Sequence, residues 1–316
     1  MTLTPHLGLI LNPMLNLASV KYANCFQSDG GPISGMEESW FDIQGEKFAV
    51  ANASLAPGLS KKGSQQNKVY ASADGSGVHR NPVTARHIAI SEALERWAHY
   101  QLWNSEDRTR YGFDIDPTSN GMSAFPGLFP GQARTFAYSE AIERYTLFSW
   151  WEGKTGAIAV KQPYWEGDAW YLPTPFSNQV VMLIRQRDPE MGFPCYGYGS
   201  GRNQTHAFDR AKVELERSRF VLTRFFEKNP GFEFGDLSIL NDFLEKRLVY
   251  FALPEGEAAF EERVSRKPPG RSPPKPKLVF DGEVPGPWSK FATVWRVAFQ
   301  MPSNEFLSPR SLYFFW

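Results

Sequence analysis

An α/β fold of repeated sheet-plus-helix units is what the sequence predicts, on three observations. Helix-period segments alternate with short strand-like runs along most of the chain. An acidic helix motif of seven residues occurs twice and is echoed a third time. Each copy follows a glycine-containing segment, which is the pattern of a pseudo-symmetric fold.

The elements follow in order. LGLIL, KYANCF and KFAVANASLA read as strands, separated by turns at SDGGPISG and DIQGE. Residues 61–77 are polar and rich in Gly and Ser, hence a loop. From Pro82 to Trp103 apolar residues return at three- and four-residue steps, with Thr84 as candidate N-cap. Residues 106–130 are loop-rich, and Gly131 to Trp151 forms a second helix around Ala133, Ala137, Ile142 and Leu147. Strands are expected at TGAIAVKQP, AWYLP and QVVMLIRQ, then a turn at GYGSGRNQ (197–204). A third helix covers Thr205 to Phe226, and a fourth is placed at Ile239 to Val249. Residues 266–277 hold five prolines and five Lys/Arg without an acid, a solvated surface loop. KLVF and TVWRVAFQ (293–300) return to strand character, and the apolar end Leu312-Tyr-Phe-Phe-Trp316 is expected in the core near that last strand. No stretch reads as a linker between domains, so residues 1–316 are expected to form a single domain.

Composition narrows the function. Lys+Arg and Asp+Glu number 34 each, so net charge is zero and nucleic-acid binding through bulk charge is not expected. Two cysteines, Cys25 and Cys195, leave no disulfide framework and no Cys-based zinc site. The five histidines form no HExxH pair. No apolar run approaches the roughly 20 residues of a membrane span, and no Lys or Arg precedes LGLIL as in a signal peptide. The expected location is the cytoplasm.

Chemistry points to the repeat. Ser91-Glu-Ala-Leu-Glu-Arg-Trp97 is matched by Ser139-Glu-Ala-Ile-Glu-Arg-Tyr145, with Ala211-Lys-Val-Glu-Leu-Glu-Arg217 a looser third copy. The preceding glycine segments are DGSG (74–77), SNG (119–121) and GYGSG. Glu92, Glu95 and Arg96 fall on one helical face, as do Glu140, Glu143 and Arg144. Two such faces opposed would join four carboxylates to two guanidiniums. Mg²⁺ takes one or two carboxylates plus phosphate oxygens, and arginine matches phosphate through its planar fork. A nucleotide site is the reading these residues favour over exposed Glu–Arg pairs. The Walker-like Gly153-Lys-Thr155 lacks its first glycine, since position 148 is Phe, and it follows a helix where a strand is required.

At these residues the sequence resembles the YcaO family. That family's Gly-Lys-Gly then Ser-Ala-x-x-Glu-x-x-Glu-Arg pattern is similar to Gly75-Ser76-Gly77 followed by Ile88 through Glu92, Glu95 and Arg96. Its second signature is similar to Ser119 through Gly127, then Glu140-Ala-Ile-Glu143-Arg144. Its third is similar to Arg210-Ala-Lys-Val-Glu214-Leu-Glu-Arg217, and its late strand to TVWRVAFQMPS (293–303). The resemblance implies an ATP cleft between helices. It assigns Glu92, Glu95, Glu140 and Glu143 to the metal, and Arg96, Arg144, Glu214, Arg217, Gly75, Ser76 and Gly77 to ATP and its phosphates. It implies ATP and Mg²⁺ as cofactors, and phosphoryl transfer that activates a backbone amide oxygen of a precursor peptide or protein. Attack by Cys, Ser or Thr then gives an azoline, and attack by sulfide a thioamide.

Departures from the family pattern bear on this. Ser76 stands where Lys is frequent, Ile88 where Ser is common, Tyr145 for Asp and Arg217 for Gln. The Pro-rich tail of azoline-forming members is replaced by Leu312–Trp316. A divergent, non-catalytic nucleotide- or partner-binding role is the alternative. No substrate-recognition domain is expected within 316 residues, so a separate substrate-presenting or sulfide-delivering partner is expected. Homodimer formation stays open.

Overall fold

The structure, a computed structural model, describes residues 16–43, 45–60, 68–70, 73–267 and 273–316. The expected LGLIL strand lies outside the described residues, as do parts of the expected loops at 61–77 and 266–277.

Three antiparallel sheets each receive one long helix. The first joins β1 (Ile33–Ile43), β2 (Glu46–Leu55) and β3 (Gly75–His79), with Gly45 at positive φ in the tight β1–β2 hairpin. Helix α2 (Pro82–Trp103) lies across β2 and β3. The second sheet is ordered β4 (Met122–Phe125), β10 (Thr293–Phe299), β9 (Leu278–Glu283), so a strand from the middle of the chain pairs with two from its end. It carries α3 (Gly131–Trp151). The third runs β5 (Ile158–Ala159), β6 (Asp168–Leu172), β7 (Val180–Arg187), β8 (Pro194–Gly201) and carries α4 (Gln204–Lys228). Helix α2 also touches β4, α3 touches β8, and α4 reaches β1, so helices and sheets alternate. Two short helices, α5 (Phe243–Phe251) and α6 (Pro254–Val264), complete the set after α1 (Ala18–Lys21).

The three long helices fall where the sequence places them, and several local expectations are corrected. The expected strand KYANCF (21–26) is instead the end of α1 and a turn, with a single bridge from Phe26 to Ile33; at the start of α1, Asn16 Oδ1 accepts from the Ala18 amide at 2.9 Å. The cap of α2 is Asn81, whose side chain accepts from Val83 and Thr84, so Thr84 is inside the helix. The segment around 239–249 is a 3₁₀ turn at Phe234–Ile239 and then α5, capped by Asp242. Helix α6 was not expected at all, because PEGEAAFEERV carries few apolar residues.

The largest correction concerns glycine. GSG at 75–77 and GYGSG at 197–201 are strands β3 and β8, not loops or turns. Their alternate glycines let helix backbone press onto strand backbone. A Cβ on Gly75 would stand 2.1 Å from the Ala89 carbonyl oxygen, and one on Gly77 2.0 Å from that of Ala85. On β8 the same contacts recur between Gly197 and Ala211 and between Gly199 and Ala207. Only SNG (119–121) is a turn, with Gly121 at φ 66.

The carboxyl-terminal residues Tyr313, Phe314 and Phe315 are buried, as expected, in the core cluster that also holds Val297 and Phe299 of β10. Their ring partners are Phe148, Trp150 and Trp151 of α3, Phe251 of α5, Phe260 of α6 and Tyr196 of β8. Arg247, 1 % exposed, donates to the carbonyls of Phe306, Ser308 and Ser311 and so fixes the approach to this tail.

Candidate functional site

The glycine contacts set the register of the repeat. If Gly75 on Ala89 corresponds to Gly197 on Ala211, then Glu92 corresponds to Glu214 and Glu95 to Arg217. The sequence match, which paired Arg96 with Arg217, is displaced by one residue. Glu216 accordingly faces away from this face and pairs with Arg219 at 2.7 Å. Helix α3 repeats α2 directly, with Ala133, Ala137 and Ala141 buried as are Ala85, Ala89 and Ala93.

The motif faces of all three helices meet in one recess. Glu92 Oε2 accepts from the Ser76 amide at 2.9 Å on β3, the edge strand of its sheet among the described residues. Glu92 also lies 3.3 Å from Arg96 and 3.9 Å from Arg217 of α4. Arg217 pairs with Glu214 at 3.0 Å, and Arg144 lies 3.8 Å from Glu140. Glu95 of α2 and Glu140 of α3 feel each other directly. Arg96 leaves 48 % of its side chain accessible, so its guanidinium can reach a bound anion.

Electrostatics in the recess is strained. Burial pushes the Glu95 carboxyl well above the usual range; Glu140 and Glu92 push it further, and Arg96 and Arg144 oppose. Burial likewise lifts Glu140 to about 7, against the attraction of Arg144. Carboxylates crowded this way gain from a cation. Arg144 is sandwiched: its guanidinium carbon is 5.0 Å from the centroid of Tyr198 and 5.0 Å from that of Phe315. Its Nε and Nη1 are buried and make no hydrogen bond of normal geometry among the described residues, their neighbour being the Tyr198 hydroxyl. Tyr198, beside it, donates its hydroxyl to the Trp316 carbonyl at 3.1 Å.

Thus Glu92, Glu95, Arg96, Glu140, Glu143, Arg144, Glu214 and Arg217 share one region, with Glu143 the most buried at 5 % exposure. Gly75 and Gly77 do not face it as a phosphate cradle; both press on α2, and the Ser76 amide is taken by Glu92. Among the described residues no three carboxylate, imidazole or thiol groups cluster closely enough to hold a metal by themselves. Mg²⁺ with one or two carboxylates and phosphate oxygens does not require such a cage. The Arg144 guanidinium, whose nearest carboxylate is 3.8 Å away, and the accessible Arg96 fit a polyphosphate.

Sequence reasoning missed several neighbours. Tyr198 and Phe315 grip Arg144 from β8 and the tail. Arg296, fully buried on β10, acts on Glu140 and Glu95 from behind while donating to the carbonyls of Tyr111, Asp116 and Thr118. All three lie in segments the sequence singles out (GYGSG, TVWRVAFQMPS and the apolar tail), but their contacts with the motif helices join positions remote in sequence.

Two cavities lie elsewhere. One of about 330 Å³ sits among α1, β1 and α2, and one of about 360 Å³ between the β1–β2 hairpin and α4. Their charges are mutually paired (Arg86 with Glu38, Arg80 with Glu46, Lys212 with Asp209), so neither offers unsatisfied chemistry comparable to the recess. No helix among the described residues is long and apolar enough to cross a membrane.

No protein-family model matches the chain, and no curated protein matches it in sequence. Solved structures do match. The YcaO from Methanopyrus kandleri, bound with AMPPCP and Mg²⁺, superposes with a TM-score of 0.52 at 15% identity, covering 88% of each chain. A heterocyclase in complex with substrate and cofactor gives 0.53 at 12% identity, over 89% of this chain and 51% of its own, so the present chain spans about half its length. The chain has a YcaO-like fold.

Proposed function

We propose that this YcaO-like protein binds Mg·ATP in the recess between α2, α3 and α4 and uses it to activate a backbone amide of a peptide or protein. The observation that carries the reading is Arg144. A largely buried guanidinium packed on two aromatic rings, with its nearest carboxylate, Glu140, 3.8 Å away, is a fixed positive charge available to an anion. The AMPPCP and Mg²⁺ of the Methanopyrus kandleri YcaO and the substrate and cofactor of the heterocyclase support it.

In this reading Arg144, Arg96 and Arg217, the last oriented by Glu214, hold the phosphates. Glu92, Glu95, Glu140 and Glu143 surround Mg²⁺. Bound ATP supplies a phosphoryl group that converts an amide oxygen from a poor into a good leaving group. The chain's own residues fix the phosphates and neutralise their charge. Azoline formation, thioamide formation and a separate substrate-presenting or sulfide-delivering partner belong to the same proposal, as does a cytoplasmic site of action. So does the treatment of residues 1–316 as one domain, which the pairing of β4 with β10 favours.

A second reading, a nucleotide-binding protein without catalysis, draws on Ile88. That side chain lies one turn before Glu92 and is 40 % exposed, so an apolar group stands where the resembled family commonly has Ser. Calorimetric titration with AMPPCP, with and without Mg²⁺, tests the shared part of both readings. Mg²⁺-dependent binding that weakens in Glu95→Gln and Glu143→Gln is expected; equal affinity in parent and variants removes the metal role. Turnover of ATP with a candidate peptide separates the two readings.

A further inference from the structure

Strand β1, with 11 residues, is the longest among the described residues, and it lies at the edge of its sheet. β2 pairs along one side of it from Ile33 to Ile43. On the other side only Ile33 has a partner: its amide donates to the Cys25 carbonyl at 2.9 Å, and Phe26 makes a parallel bridge to it. From Ser34 onward the outer N–H and C=O groups meet no other backbone among the described residues. An open edge is a template for another extended chain, and proteins blunt it with lysine, proline or a short strand. β1 reads ISGMEESWFDI, with neither residue, and leaves Trp40 55 % exposed.

The cavity of about 330 Å³ lies against this edge. Because β2 occupies one side of Ile33, the Phe26 bridge puts the segment after α1 on the other, and the cavity is the space left between that segment, β1 and α2. Tyr22, Phe26, Met36, Val83 and Ile90 make it largely apolar and suit it to a Leu or Phe side chain. Arg86 and Glu38 also line it, but they hold each other at 2.7 and 3.0 Å. Charge adds a preference. β1 carries three acids and no base. Glu38 has Arg86, and Asp42 has Lys47 opposite it, whereas the exposed Glu37 stands opposite Asn52 with no cation as partner among the described residues.

We propose that the outer edge of β1 is a strand-addition site for the peptide substrate: an extended segment bearing Lys or Arg pairs with residues 36–42 and sets one large apolar side chain in the cavity. The proposal rests on the peptide-substrate part of the reading above. Val83, Arg86, His87 and Ile90 of the cavity follow at three- and four-residue steps on one face of α2, and Glu92, Glu95 and Arg96 fall on the opposite face. The docked segment is therefore a helix width, about 10 Å, from the recess. It recognises and holds the substrate, and another stretch of the same peptide carries the amide that reacts.

The probe is a fluorescein-labelled octapeptide, Lys-Val-Lys-Leu-Lys-Val-Lys-Val, read by anisotropy, with amide hydrogen exchange over residues 34–43 followed alongside. Binding with slowed exchange there is the expected result. Methylating alternate amide nitrogens of the peptide removes strand hydrogen bonds and keeps side chains and charge, so the Kd rises about tenfold or more. Glu37→Lys raises it about threefold by reversing the free charge. Ala23→Phe fills the cavity from an exposed position and raises it about tenfold, with the melting temperature of the parent. A parent that does not bind, a methylated peptide that binds as well, or a parent-like Kd in either variant overturns the proposal. So does a dimer in sedimentation velocity whose exchange at 34–43 is slow before peptide is added, since a second copy then holds the edge. AMPPCP binding without peptide binding sinks this proposal alone. Peptide binding without AMPPCP binding sinks the nucleotide reading and leaves the strand-addition site standing.

Discussion

Replacing Phe314 by alanine should lower the melting temperature by about 5–8 °C. The side chain is fully buried and its ring meets those of Trp150, Trp151, Tyr196, Phe251, Phe260 and Trp316 at centroid distances of 4.8–5.7 Å. Core Phe→Ala changes cost about 3–5 kcal/mol through lost transfer energy and the cavity left behind. An unfolding entropy near 2.1 cal/mol/K per residue gives roughly 0.7 kcal/mol per degree for a chain of this length, hence the stated shift. Differential scanning calorimetry reads it directly. Trp40→Ala is the control, since that side chain is 55 % exposed on β1 and should move the midpoint by under about 1 °C. Deleting residues 312–316 should destabilise more, because Tyr313 and Phe315 leave with Phe314. A Phe314→Ala protein that melts with the parent would refute the claim that the tail is core. A truncated protein with unchanged melting but lost activity would make the tail catalytic instead.

Gly77→Ala should cost about 1–3 kcal/mol or more by overpacking, since the new Cβ meets the Ala85 carbonyl oxygen at 2.0 Å on one side and Ala89 N at 2.7 Å on the other. Urea midpoints should show this loss, while Gly235→Ala, where nothing lies within 4 Å, should cost little. Stability should also rise as pH falls from 8 to 5.5. Glu140 and Glu95 have folded-state pKa values raised above their unfolded ones, so the native state binds the extra protons, and that stabilisation is lost as pH climbs through about 7. Glu140→Gln should flatten this dependence, and an unchanged slope would contradict the burial of a strained carboxylate there.

The helices were legible because Ala85, Ala89 and Ala93, and their counterparts on α3, recur at helical spacing and are the residues that press on sheets. The convergence of Glu92, Glu140 and Glu214 was legible for a related reason: a repeat of sequence became a repeat of position. The glycines misled, because a glycine read locally signals a turn, whereas Gly75 and Gly197 serve a helix backbone that sequence does not display. The one-residue offset of the third copy was hidden for the same reason. The contacts of Glu245 with residues 68–70, and of Phe315 with Arg144, join positions so remote that no local pattern records them.

A crystal structure of the protein with AMPPCP and Mg²⁺ tests the central claim most directly. The account predicts the triphosphate between α2, α3 and α4, within hydrogen-bonding distance of the Arg144 guanidinium or of Arg96, with Mg²⁺ against carboxylates of Glu92, Glu95, Glu140 or Glu143. A nucleotide lodged instead in the cavity between the β1–β2 hairpin and α4, or a recess left empty at saturating ligand, would contradict it.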